Sequence, residues 1–225
     1  MKASNSIKCL AVAIAAAGFV GSGDNAYADG GIFGSDEGLQ LNGGAFTFYE
    51  NTLQTDPRHA PLVSGGVTAA PTLVTTGLPA SLGNFNPFTG DSLLLIGGEA
   101  LTFKNGPTDV TGASVNYSID GGAFSSISLT FNEDNVNGMS GDQRWANTNF
   151  AINLLSGQSM GTHTLSFYIS ATTNGNGADP TVFDNNGGAN FNTTFTLVPE
   201  PSTWATLLVG LGILIGAQRR RRRLG

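Results

Sequence analysis

Apolar and polar residues alternate with a period of two through much of this chain, as strands do when one face is turned to a core. Val115, Tyr117 and Ile119 fall on one face of such a stretch, with Asn116 and Ser118 on the other. Asp120-Gly121-Gly122 then reverses the chain into Ile127, Leu129 and Phe131. Asp-Gly between alternating runs predicts a tight hairpin, because glycine tolerates the positive φ such turns require. The same pattern predicts strands at residues 45–50, 93–96, 149–154, 164–169 and 193–198, with Leu101 and Phe103 alternating in another. Before residue 91 the pattern weakens. Residues 29–55 read as Gly-rich turns around the one strand at 45–50, and residues 56–90 hold five of the nine prolines, Pro57, Pro61, Pro71, Pro79 and Pro87. Proline confines strands there to short or edge positions. No convincing amphipathic helix of more than about ten residues interrupts the strands. About seven or eight strands separated by Gly/Asn turns predict an all-β fold, an antiparallel β-sandwich with immunoglobulin-like topology.

Both ends of the chain break this pattern. At the N-terminus, Lys2 and Lys8 precede an apolar stretch over residues 9–20 and a small-residue site, Ala26-Tyr27-Ala28. This reads as a secretory signal peptide cleaved after Ala28, its apolar part well short of the roughly 20 residues that span a bilayer. At the C-terminus, Pro199-Glu200-Pro201 is followed by an apolar run from Trp204 to Ala217, then Gln218 and Arg219, Arg220, Arg221, Arg222 and Arg223. A helix over that run is only about 21 Å long, against roughly 30 Å of hydrocarbon. A transmembrane helix is nonetheless expected, with Trp204 at the interface and the arginines snorkelling to the cytoplasmic face. The rest of the chain then lies outside, the orientation that the signal peptide also dictates. Gly212 and Gly216 form a G-x-x-x-G that could pack two such helices.

The order Val-Pro-Glu-Pro-Ser, short apolar helix and terminal Arg cluster resembles the PEP-CTERM sorting signal of exported proteins in Gram-negative bacteria that make exopolysaccharide. The resemblance implies recognition by an exosortase and removal of the helix and Arg tail at or near residues 199–201. Two prolines flanking one residue hold the chain extended, which suits entry into another protein's cleft. The chain divides accordingly into a signal peptide (1–28), a Gly/Pro-rich N-terminal part of the mature domain (29–90), a β-sandwich core (91–198) and the sorting signal (199–225). Residues 100–198, through Phe103-Lys104-Asn105, Trp145 and the turn from Gly161 to Leu165, are also similar to bacterial extracellular β-sandwich modules, which share no catalytic motif.

Composition narrows the chemistry. One cysteine, Cys9, falls in the signal peptide, and two histidines leave little for an imidazole metal centre. Gly supplies 32 positions and Asn twenty, both turn formers. Between residues 29 and 198, 14 acidic side chains face only Arg58, Lys104 and Arg144. That balance excludes a nucleic-acid partner, and it repels anionic polysaccharide unless divalent cations bridge the two. Gly157-Gln158-Ser159-Met160-Gly161 matches G-x-S-x-G, with His163 nearby. A nucleophile elbow needs a helix after the serine, and here a strand is expected. Glu133, Asn135, Asn137 and Gly138 imitate a calcium loop that ends on Arg144, where a bidentate Glu is required. A looser calcium site at Asp134 and Asp142 stays open. The loops Asp184 to Gly188 and Asn174 to Gly177 could present amides to sugars, with Tyr117, Trp145, Tyr168 or Phe183 as a stacking platform. Equally, Asn and Gly tolerate left-handed turns and aromatics fill cores.

The expectation is an exported, non-enzymatic cell-surface or extracellular-matrix protein, of the kind found in biofilms, with no cofactor, metal or catalytic residue. Its partners are the Sec machinery, an exosortase, the inner membrane before processing, and exopolysaccharide as a candidate. A carbohydrate- or exopolysaccharide-binding module is the alternative, and a hydrolase the third reading.

Overall fold

A computed structural model describes residues 30–52, 72–104, 106–147, 150–175, 180–199 and 201–224. Ala26 and Ala28 of the signal-peptide site, Glu200 and residues 56–71 of the Pro-rich segment lie outside them. The described residues form twelve strands. They are β1 (Gly30–Leu41), β2 (Phe46–Thr52), β3 (Thr72–Thr76), β4 (Ser81–Phe85), β5 (Leu93–Lys104) and β6 (Val110–Ile119). The second half holds β7 (Ser125–Asp134), β8 (Asp142–Asn147), β9 (Ile152–Asn153), β10 (Gly161–Thr173), β11 (Thr181–Asp184) and β12 (Phe191–Leu197), before the helix α1 (Pro201–Leu224).

All strands belong to one sheet, in the order β3-β2-β1-β5-β8-β7-β6-β10-β12-β4, with β9 beside β5 and β11 beside β10. Only the two edge pairs, β2 with β3 and β12 with β4, are parallel. The immunoglobulin-like sandwich expected from the sequence is therefore corrected to a single sheet curled into a half-barrel. The reason is β7. Its residues 125–129 pair with β6 and residues 130–134 pair with β8, so one strand carries the hydrogen bonding across what a sandwich would leave as a gap. Bulges in β1, β7 and β10 supply the local bend and twist that curling needs.

The hairpin at Asp120-Gly121 forms as expected, with both residues at positive φ (53° and 68°). The reading of residues 29–55 as turns around a single strand is corrected, because β1 runs for 12 residues between β2 and β5. Its glycines hide the strand signal, and they have a packing reason. A Cβ on Gly38 would come within 2.7 Å of the Phe48 ring, and one on Gly97 within 3.3 Å, so the two glycines form a slot for a fully buried phenylalanine. Inside the curl, Leu39, Leu95, Val115, Phe167, Ile169 and Phe195 are buried in one cluster. There Gly98 lies so close to Val115 that a Cβ would meet its Cγ2 at 2.3 Å, which brings β5 and β6 together across the core.

The helix α1 has 24 residues. Its apolar stretch, however, ends at Ala217 before Gln218 and the arginines, and among the described residues no helix is long and apolar enough to cross a membrane. The expectation of a transmembrane helix is corrected to a short apolar helix with a cationic end. Its described apolar side chains, from Leu207 to Ile215, stand exposed on every side of the helix.

The Gly98–Val115 contact yields a double-mutant test. Gly98→Ala overfills the gap and lowers stability by about 1–3 kcal/mol in urea unfolding. Adding Val115→Ala recovers part of that loss, whereas strictly additive losses would show that the contact does not limit the packing.

Candidate functional site

The outward face of the half formed by β6, β7, β10, β11 and β12 differs in chemistry from the rest of the molecule. Register places Ser114, Asn116 and Ser118 of β6 opposite Ser170, Tyr168 and Ser166 of β10. Serines of β7 continue this face on one side, and Asn192, Thr194 and Thr196 of β12 continue it on the other. Every outward residue on these paired stretches is uncharged. Across it runs a row of rings. Phe124 packs edge-on to Tyr168 at 4.8 Å, and Tyr168 packs edge-on to Phe183 of β11 at 6.0 Å. Phe124 and Phe183 are 41% and 54% exposed, which leaves an apolar strip open to solvent within a field of hydroxyls and amides. The Asn116 amide donates to Ser170 Oγ at 2.9 Å and is buried beside the row.

The sequence named Tyr168 and Phe183 among its stacking candidates but missed Phe124, which no strand pattern marks. Its other two candidates point elsewhere. Trp145 is buried and donates its indole N–H to Thr102 Oγ1 at 3.1 Å, and Tyr117 packs half-buried against the core. The Asn/Gly loop beyond β11 is occupied with its own turn. Asn186, Gly187 and Gly188 take positive φ, and Asn185 Oδ1 accepts from the Gly188 N–H at 3.0 Å.

A second cluster is buried in the other half and had no expectation attached. Asp36 of β1 stands directly opposite Glu50 of β2 and Glu99 of β5. Asp36, Glu37 and Glu99 have no exposed surface. Neither carboxyl oxygen of Asp36 meets a well-formed hydrogen-bond partner, and the Glu99 backbone gives it only partial relief. Burial, and after it the nearby charges of Glu99 and Glu37, push its pKa well above the usual carboxylate range. Glu37 faces the other way, where Asn51 Nδ2 donates to its Oε2 at 2.6 Å. Burial, reinforced by Asp184, pushes Glu37 up to about 8 against the partial relief from Asn51. Asp184 in turn accepts from Ser35 Oγ at 2.6 Å, which ties β1 to β11. Arg144 of β8 sets its Nε 3.1 Å from Glu99 Oε1 and an Nη 3.1 Å from Glu133 Oε2. Among the described residues no group of acidic, His or Cys side chains is arranged to hold a metal ion. The looser calcium pair gains nothing here, because Asp134 accepts from Lys104 Nζ at 3.1 Å. In the calcium-like loop, Asn135 Oδ1 caps the Gly141 N–H at 3.2 Å.

His163 is engaged on both sides. Its Nδ1 lies 2.6 Å from Asp120 Oδ2, its Nε2 lies 2.8 Å from the Ser159 carbonyl, and its ring stacks on Phe195. Two acceptors call for two donors, so the imidazolium is favoured and its pKa is raised, chiefly by Asp120. The ring thus meets the backbone of Ser159 and not its hydroxyl. Gly157 and Gly161 sit at positive φ in a turn that β10 follows, so the G-x-S-x-G match here is a turn.

The C-terminal segment leaves directly from the sheet. The Val198 N–H donates to the Phe85 carbonyl of β4 at 2.9 Å, and after Pro199 the helix begins at Pro201. Arg219 and Arg220 are exposed near its far end. Residues 197–223 match the family model of the PEP-CTERM protein-sorting motif. The chain carries a PEP-CTERM sorting signal. No curated protein and no solved structure matches it. The PEP-CTERM motif marks an exported protein that is held at the membrane before processing, and it is the substrate signal of an exosortase.

The buried carboxyls set a pH dependence. A carboxyl whose folded pKa lies above its unfolded value stabilises the fold below the unfolded pKa and loses that contribution as pH rises towards the folded one. Glu37 spans the interval from 4.5 to about 8, Asp36 is displaced in the same direction, and His163 adds the same sign above 6.5. Between pH 5 and 8, stability therefore falls, by up to about 1.4 kcal/mol per pH unit for each retained proton. Glu37→Gln keeps the acceptor for Asn51 and removes the titration. Urea unfolding across this range should give a flatter profile for the variant and a higher stability at pH 8; a slope equal to the parent's would contradict the assignment.

Proposed function

We propose that this chain is an exported, non-catalytic β-domain that its PEP-CTERM segment presents to an exosortase, which cuts at or near residues 199–201 and leaves the sheet at the cell surface or in the extracellular matrix. The observation that carries this reading is the match at residues 197–223, which begins where β12 ends. Pro199 and Pro201 have no N–H to give a sheet, so the strand ladder stops at Val198 and a cut just beyond it removes no strand. In this reading Ala26 and Ala28 mark signal-peptide cleavage after Sec export. Trp204 and the arginines Arg219 to Arg223 flank the short apolar helix that holds the chain at the membrane until processing.

A second reading, a carbohydrate-binding module, is favoured by the exposed rings of Tyr168 and Phe183 on an uncharged face. Retention in an exopolysaccharide-rich biofilm matrix would follow from it. The two readings are compatible, since one concerns delivery and the other what the delivered domain holds.

Intact-mass spectrometry of the protein from its native host tests the first reading. The expected species begins at Asp29 and ends between residues 198 and 201, without the helix. Recovery of the matured protein with its arginine end intact would sink it. Glu200→Ala should accumulate the membrane-held precursor. A chain ended at Val198 should unfold within about 0.5 kcal/mol of the full-length protein, the range of surface changes, because the described apolar side chains of α1 are exposed.

A further inference from the structure

We propose that the outward face of β6, β10 and β11 is a binding site for an uncharged polysaccharide, whose sugar rings lie on the row Phe124–Tyr168–Phe183. The inference rests on the carbohydrate-binding reading and is independent of processing. Three observations converge on it.

The rings come first. An outward sheet face that merely met water would carry polar side chains alone. Here three aromatics from three separate segments, the turn before β7, β10 and β11, gather into one contact chain with two of them about half exposed. Exposed apolar clusters within a polar surround mark interaction sites. An aromatic face accepts the C–H face of a pyranose ring, while the hydroxyls around that ring need donors and acceptors at its rim. Asn116, Ser166, Ser170 and Asn192 supply them.

The second observation is an unfilled hydrogen-bonding group. Ser118 lies on the same face two residues along β6 from Asn116, the register partner of Tyr168, and it is buried to 3% with its hydroxyl bonded to nothing. A buried hydroxyl left unpaired costs free energy that a ligand oxygen can recover. Ser118 also lines an open cleft of about 270 Å³ at the end of β6, with Ser125, Asn153 and Gln158 and with the core-facing Tyr117, Ile119, Ile152 and Leu154.

Charge selects the class of ligand. The domain is strongly acidic, yet no outward paired position of this face carries a carboxylate: Asp36, Glu37 and Glu99 are buried in the other half, Glu133 and Asp134 pair with Arg144 and Lys104, and Asp184, next to Phe183, accepts from Ser35 Oγ of β1. At the end of this face Asp120 is engaged by His163 and by the Thr164 N–H. No cation on the face could attract an anionic polymer, and the surrounding field repels one. A neutral glycan meets neither penalty.

Affinity electrophoresis of the full-length chain in mild detergent, through gels containing a neutral β-glucan, a galactomannan, dextran or alginate, tests the proposal. The parent should be retarded by at least one neutral polymer and not by alginate. Tyr168→Ala and Phe183→Ala should each weaken that retardation about tenfold with an unchanged urea midpoint, while Tyr168→Phe, which keeps the ring, retains it. Retardation that survives both alanine variants would leave carbohydrate binding standing and overturn this site. No retardation in any neutral gel would overturn both. Stronger retardation by alginate, or concentration-dependent self-association in sedimentation lost in Phe183→Ala, would overturn the assigned ligand in favour of an anionic polymer or a second copy of the chain.

Discussion

The hydrogen bonding of β7 to two neighbours at once governs the rest of the architecture. Because residues 125–129 bind β6 and residues 130–134 bind β8, no row of backbone groups is left open where the two halves meet. The sheet can enclose its apolar face only by curling, and curling demands bulges and side chains small enough for close approach. Gly98 against Val115 is one such point, and the slot of Gly38 and Gly97 for Phe48 is another. The Ser35–Asp184 hydrogen bond then ties β1 to β11 across the curl. The outward face with its ring row and the inward cluster of Phe167, Ile169 and Phe195 are the two sides of the same strands, separated by the period of two.

What the sequence disclosed follows from this division. Strands β6, β7, β10 and β12 bury one face and wet the other, so alternation reveals them, and Asp120-Gly121 marks their hairpin. Strand β1 was illegible because its residues combine glycines with acids, as in Asp36-Glu37-Gly38, and no alternation survives when both faces are buried. The same cause hid the carboxyl cluster, since a pair of adjacent acids ordinarily belongs on a solvated surface. Whether strands form one sheet or two is decided by register at β7, a property of pairing that no single strand records. The C-terminal signal was fully legible, being a linear motif whose meaning does not depend on tertiary context. The ring row was half legible. Tyr168 and Phe183 could be named as types, but the turn that delivers Phe124 to them exists only in three dimensions.

The two halves of the sheet are stabilised differently. Both contribute to one apolar cluster, through Leu39, Leu95 and Trp145 on one side and Phe167, Ile169 and Phe195 on the other. The half around β1 also buries Asp36 and Glu37, whose pKa values burial raises, with Arg144 bridging Glu99 and Glu133 beside them. Removing one partner from such a group costs more than the pair contributes, because it strands the remaining charge. This half is therefore the more exacting in sequence and the more responsive to its medium, whereas the outward face of the other half carries no charged side chain on its paired positions.

The hydrogen bond from the Val198 N–H to the Phe85 carbonyl fixes the end of the sheet only two residues before the helix starts. From Val198 to Pro201 is three residue steps, at most about 11 Å of fully extended backbone. Held at a membrane by the helix, the acidic body would be kept within a distance comparable with the Debye length, roughly 8 Å at physiological ionic strength. At that distance anionic headgroups repel an acidic body, so the short connection and the charge of the sheet act in opposite senses.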